Sequence, residues 1–136
     1  MTEQATKTER NRRLVTEAFQ RFVAGDQRPF WDLVADDVRW TVIGSTDISG
    51  TFQSKQAFFD NATTKLVAGL DGPLLGSVRD ILADGDHVVV QWESSAPTKN
   101  GGRYEQTYCW VLRLEGGRVV ETVAYLDTEM VSSVFA

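Results

Sequence analysis

Histidine and cysteine are almost missing from this chain: His87 and Cys109 are the only ones among its 136 residues. A lone cysteine cannot close an internal disulfide, which suits a reducing cytoplasm. One histidine without paired cysteines lacks the ligand set of a zinc centre, so metal chemistry is disfavoured. No run of about 18 apolar residues exists that would cross a membrane as a helix. The polar N-terminus has no apolar core of the kind a signal peptide carries. Basic side chains are outnumbered 14 to 19, leaving a net charge of −5. A nucleic-acid surface would show a clustered positive patch instead, so no nucleic-acid partner is expected. With 42% hydrophobic and 24% charged residues the composition is that of a folded protein, and disorder is excluded. The length is that of one domain.

Residues 1–8 are polar and unpatterned and read as a flexible N-terminal tail, leaving 9–136 as the single domain. Leu14, Val15, Ala18, Phe19, Phe22 and Val23 then recur at spacings of three to four, the signature of an amphipathic helix that Gly25-Asp26 stops. Pro29 suits the first turn of a second short helix bearing Phe30, Trp31, Leu33 and Val34. Val38–Ile43 reads as a strand ended by Gly44. Ser54 is placed to cap a third helix reaching about Ala68, with Phe58, Phe59, Ala62, Leu66 and Val67 on its buried side. Four strands follow: Leu74–Ala83, His87–Ala96, Arg103–Leu114 and Arg118–Leu126. Their separators all contain glycine, as tight hairpin turns require. Met130 to Phe135 reads as a last short helix, with Asp127 or Thr128 as its cap. Helices and one strand followed by an antiparallel meander make an α+β domain.

Several stretches add specificity to that outline: Asp36-Asp37-Val38-Arg39-Trp40-Thr41-Val42-Ile43-Gly44, Gly50-Thr51-Phe52, Tyr104 to Trp110, and Ala124-Tyr125-Leu126-Asp127-Thr128. With the element order they resemble the nuclear transport factor 2-like superfamily, and within it the SnoaL-like, ketosteroid isomerase-related proteins. The resemblance implies a cone in which a curved antiparallel sheet wraps one long helix. It also implies a cofactor-independent enzyme of isomerase, cyclase, dehydratase or epoxide hydrolase type, acting on a small hydrophobic carbonyl or cyclic compound. The superfamily's catalytic aspartates are not matched, however. Val42 (or Thr41 after a one-residue slip), Trp110 and Ala124 stand at the positions where such acids are expected, and Gln91 and Glu93 where an Arg-x-Asp pair would be. One fold hosts many chemistries, so a non-catalytic binding module and a dimerisation domain stay open as alternatives.

Strand side chains alternate between two faces. The resemblance turns Gln91, Glu93, Gln106, Tyr108, Trp110, Thr122, Ala124 and Leu126 inward. Glu93 is then the one inward carboxylate on the sheet and the candidate for moving a proton. Gln91 would orient it, and the Tyr108 phenol would donate a hydrogen bond to a substrate oxygen. Trp40, Gln106, Trp110, Leu112 and Leu126 are the candidate ligand-binding residues. Tyr104 is expected only to cover the rim. The opposite face would carry Val88, Val90, Trp92, Cys109, Val111, Val123 and Tyr125, too apolar for water. A second copy of the chain is therefore expected to cover it in a homodimer.

Overall fold

A computed structural model describes the backbone from Glu3 to Ala136 and the side chains from Thr6 onward. The long helix α1 (Glu3–Val23) is followed by α2 (Arg28–Leu33), β1 (Val34–Val42) and β2 (Gly50–Phe52). A third helical stretch comprises α3 (Lys55–Phe58), a π-helical turn over Phe59–Thr63, and α4 (Thr64–Ala68). The meander β3 (Leu75–Asp84), β4 (His87–Pro97), β5 (Arg103–Glu115) and β6 (Arg118–Leu126) leads to the short helix α5 (Thr128–Val134). The six strands form one sheet in the order β2-β1-β6-β5-β4-β3. Only β1 and β6 run parallel; the other neighbours are antiparallel. This is the expected α+β cone, with α1 inside the curved sheet. Val15, Ala18, Phe19 and Phe22 make its buried stripe.

The amphipathic helix begins earlier than its apolar pattern suggests. Residues 3–8, expected as a loose tail, form its opening turns; residues 1 and 2 lie outside the described ones. Polar tertiary contacts tie the start of this helix to the sheet. Lys7 Nζ meets Asp86 at 3.0 Å, and Thr8 Oγ1 accepts from the Gly85 backbone N–H at 2.8 Å. Asn11 Nδ2 donates to the Gly85 carbonyl at 3.0 Å. All three reach the β3–β4 turn. An apolar periodicity cannot report such contacts.

A second correction concerns β4. Pro97 pairs with Arg103, so the five residues 98–102 form the loop and even-numbered residues oppose even-numbered ones. Directly opposed residues share a face. Trp92 therefore lies beside Tyr108, and Val90 beside Trp110, on the inner face. Gln91 opposes Cys109 and Glu93 opposes Thr107 on the outer face. The inward placement of Gln91 and Glu93, and the outward placement of Val88, Val90 and Trp92, are thus reversed. A register of the other parity exchanges every side chain between faces.

The reversal removes the largest member of the supposed apolar outer face. Cys109, Val111 and Val123 remain there half-buried, Val89 joins them through the reversal, and Tyr125 is exposed. Charged pairs run between them: Glu121 lies 3.3 Å from Arg113 and 3.7 Å from Arg39, and Arg113 lies 2.8 Å from Glu115. Among the described residues, no helix is long and apolar enough to cross a membrane.

Candidate functional site

Turning Trp92 inward builds an aromatic wall. Its ring stacks on Tyr108 with centroids 4.0 Å apart and meets Trp110 edge-on at 5.0 Å. Trp110 meets Trp40 edge-on at 5.0 Å, and Trp40 stacks on Phe58 at 4.5 Å. Trp31 lies 5.4 Å from Trp40. Offset and edge-to-face rings are the arrangements that aromatic quadrupoles favour. The six rings come from five elements, α2, β1, α3, β4 and β5, and the sheet's curvature brings them together. At the helical side, Lys55 holds the frame: its ammonium donates to the carbonyls of Trp31 at 2.8 Å and Val34 at 3.0 Å. A cation on the last carbonyls of a helix satisfies groups that the helix itself leaves open. Ser54 caps α3 by accepting from the Ala57 N–H at 3.0 Å, as its position before the apolar run implies.

These walls enclose a cavity of about 400 Å³. All four tryptophans of the chain line it, with Tyr104, Tyr108, Phe22, Phe58, Ala124 and Leu126. Exposed Gly25, Gln27, Val67, Gly72 and Pro73 mark its open side. Among the described residues no lining side chain is charged. Nor, among the described residues, do three or more His, Cys, Asp or Glu side chains gather to hold a metal ion. Indole Nε1 of Trp40, Trp92 and Trp110 and Thr122 Oγ1 are buried without a hydrogen-bond partner. The tryptophans sit instead in the edge-to-face contacts just described.

The polar part of the wall is a short hydrogen-bonded chain. Tyr108 Oη lies 2.9 Å from Ser94 Oγ and 3.3 Å from Tyr104 Oη. Gln106 Nε2 donates to Tyr104 Oη at 3.1 Å. Burial pushes the Tyr108 phenol well above its ordinary value of 10.0, and does the same to Tyr104 more mildly. Both phenols are therefore neutral near pH 7, so each can donate a hydrogen bond and neither serves as a base.

Of the residues singled out in the sequence, Trp40, Tyr108, Trp110 and Leu126 line the cavity. Gln106 and Leu112 are buried but do not line it; Gln106 stands behind Tyr104, and Leu112 belongs to the core. Glu93 is not brought into the site. Its side chain is 42% exposed and pairs with Arg79 at 3.0 Å. Gln91 is exposed on the same outer face. Tyr104, expected at the rim, is fully buried. Ser94, Trp31 and Phe58 were missed as site residues. Ser94 shares the alternation of Trp92 on β4, and the same register turns both inward. Asp127 caps α5 as expected, its Oδ1 accepting from the Met130 N–H at 3.1 Å.

The sequence model of the SnoaL-like domain matches residues 15–122. The chain belongs to the SnoaL-like domain family. Solved structures share the cone fold of this SnoaL-like protein. A nuclear transport factor 2-like protein of Burkholderia thailandensis E264 is 20% identical, with a TM-score of 0.79 over 93% of this chain and 97% of its own. A Jannaschia sp. CCS1 protein assigned to the SnoaL-like polyketide cyclases is 19% identical, with a TM-score of 0.73 over 98% and 96%. TerC, co-crystallised with polyporic acid, is 16% identical, with a TM-score of 0.75 over 93% and 99%. At these identities the likeness is one of fold. No curated protein matches the sequence.

Proposed function

We propose that this SnoaL-like protein binds a small, flat, uncharged organic compound in the cone cavity, with Tyr108 donating a hydrogen bond to its carbonyl oxygen. One observation carries the reading: four tryptophans and two neutral tyrosines line a single cavity of about 400 Å³ without a charged side chain among the described lining residues. Its size falls in the range of about 300–1,000 Å³ common for small-molecule sites, whose walls are mostly apolar with a few polar groups. A charged ligand would be desolvated there without a partner. TerC, with the same fold, was co-crystallised with a small organic compound, polyporic acid, which supports a ligand of that general class.

A second reading, cofactor-independent catalysis on that ligand, is favoured by the Tyr108 phenol. A neutral donor aimed at a carbonyl stabilises the enolate or oxyanion that isomerisation and ring closure develop. Among the described lining residues there is no carboxylate or imidazole to abstract the proton, so the reading assigns Tyr108 polarisation and the cavity confinement, and gives Glu93 and Gln91 no part.

The test uses 9-fluorenone, a flat neutral ketone, and its 4-carboxylate. Since every tryptophan lines the cavity, fluorenone is expected to quench the intrinsic fluorescence saturably, and the anion to bind far more weakly. Quenching without saturation, or a preference for the anion, refutes the reading. For the partner surface, we propose that a second copy covers Tyr125 and its half-buried neighbours. Light scattering checks this: a wild-type monomer at micromolar concentration refutes it.

A further inference from the structure

The hydrogen-bonded chain behind the cavity has a direction, and Gln106 dictates it. Gln106 is 2% exposed. Its Oε1 accepts from the backbone N–H of Asp127 at 2.7 Å and of Thr107 at 3.0 Å, while its Nε2 donates to the Asp127 carbonyl at 2.9 Å. Turning the amide over would set N–H against N–H and oxygen against oxygen, so its orientation is fixed. The remaining Nε2 proton goes to Tyr104 Oη. Tyr104 therefore keeps its own proton for its other neighbour, Tyr108 Oη. Tyr108 receives that bond and must in turn pass its proton on. Ser94 Oγ, 2.9 Å away, is one acceptor. A ligand oxygen in the cavity that Tyr108 lines is the other. A serine hydroxyl rotates freely and can either accept or donate, so Ser94 can return a hydrogen bond to Oη when the phenol's proton leaves it.

We propose that Gln106 and Ser94 are positioning residues for Tyr108: Gln106 directs the chain so that the phenol always has a proton to give, and Ser94 holds that proton until a ligand acceptor takes it. The inference rests on the ligand reading above and narrows its chemistry. The ligand carries an acceptor oxygen, as in a ketone, quinone or lactone, and is preferred over the same ring system without it. In the exchange the phenol loses one acceptor, gains another, and receives a new bond from Ser94. The donor is therefore already in place before the ligand arrives, which is the sense in which the site is preorganised.

The experiment compares 9-fluorenone with fluorene, which shares its tricyclic frame and lacks the oxygen. Affinities come from equilibrium dialysis, and the carbonyl stretch of bound fluorenone from infrared difference spectra. Wild type is expected to prefer the ketone by about fivefold, the worth of one hydrogen bond of ordinary net strength, with the carbonyl stretch lowered. Tyr108→Phe should abolish the preference and return the stretch to its value in an apolar solvent. Ser94→Ala removes the bond that Ser94 returns to Oη, so the phenol donates less strongly and the stretch should be lowered less than in wild type. Gln106→Glu puts an acceptor opposite Tyr104, reverses the chain and should cancel the preference. Where Gln106→Glu does not fold, the Ser94→Ala result decides alone. Ser94→Ala leaving the bound carbonyl stretch as it is in wild type, whatever it does to the two affinities, is the mark of a merely structural role and overturns the inference. Equal binding of the two probes by wild type also overturns it and leaves the cavity reading intact. Binding of neither probe removes the cavity reading, and the inference falls with it.

Discussion

Replacing Trp92 by alanine tests the face assignment of β4 on which the whole site depends. Trp92 is 2% exposed. Its ring lies 4.0 Å from Tyr108, 5.0 Å from Trp110, 5.2 Å from Phe19 and 5.5 Å from Phe22, measured between centroids. Truncating a buried tryptophan removes its transfer free energy and leaves a cavity, at a cost of about 3–5 kcal/mol. The existing open space next to it limits how well the surrounding rings can close the gap, so the upper half of that range is expected. Against a total stability of roughly 5–15 kcal/mol this is a large loss, equivalent to roughly 10 °C or more in Tm. Glu93→Ala, one residue along the strand, loses only an exposed pair with Arg79 and should change stability by less than about 1 kcal/mol. Urea titrations followed by circular dichroism measure both, with light scattering on the folded variants. The reasoning is refuted if Trp92→Ala costs less than about 1 kcal/mol while releasing a folded monomer, the behaviour of an outward, interface-side residue.

Two further outcomes follow from other parts of the molecule. Gly44 has φ +92°, and a Cβ there would sit 2.6 Å from Thr128 Cγ2 at the start of α5; Gly44→Ala should lower stability by roughly 2 kcal/mol, read as a lower urea midpoint. The raised Tyr104 and Tyr108 ionisations make the folded state keep protons that the unfolded chain releases above its ordinary value of 10.0. Stability should thus be unaffected by these groups below about pH 10 and fall as the pH climbs beyond it, and Tyr108→Phe should flatten that fall in urea titrations across the alkaline range.

Local regularities carried most of the architecture. The period of Val15, Ala18, Phe19 and Phe22 suffices for a helix with one buried stripe, because a 3.6-residue repeat puts those side chains on one side whatever they meet. Ser54 and Asp127 were readable as caps, since capping needs only the backbone three residues ahead. The glycine-bearing turns delimited the meander because the turns needing positive φ favour glycine, as at Gly85, Gly101, Gly116 and Gly117.

What the local pattern left open was which face of β4 looks inward. Val88, Val90 and Trp92 alternate with Val89, Gln91 and Glu93, and both sets contain apolar residues. The choice depends on whether the β4–β5 loop holds an odd or even number of residues. That is settled by contacts at the loop itself: Thr98 N–H donates to the Gly102 carbonyl at 3.0 Å, and Gly102 N–H returns a bond to Thr98 Oγ1 at 3.0 Å. With 98–102 closed in this way, Trp92 is carried to Tyr108 and Glu93 to the outer face. The first turns of α1 were decided in the same manner, by a turn some 77 positions away whose Gly85 N–H meets Thr8. The cavity is the extreme case. Trp31, Trp40, Trp92 and Trp110 come from four separate elements, and no spacing along the chain encodes their meeting. Periodicity reports which side of an element is apolar; only strand register and sheet curvature determine what that side encloses.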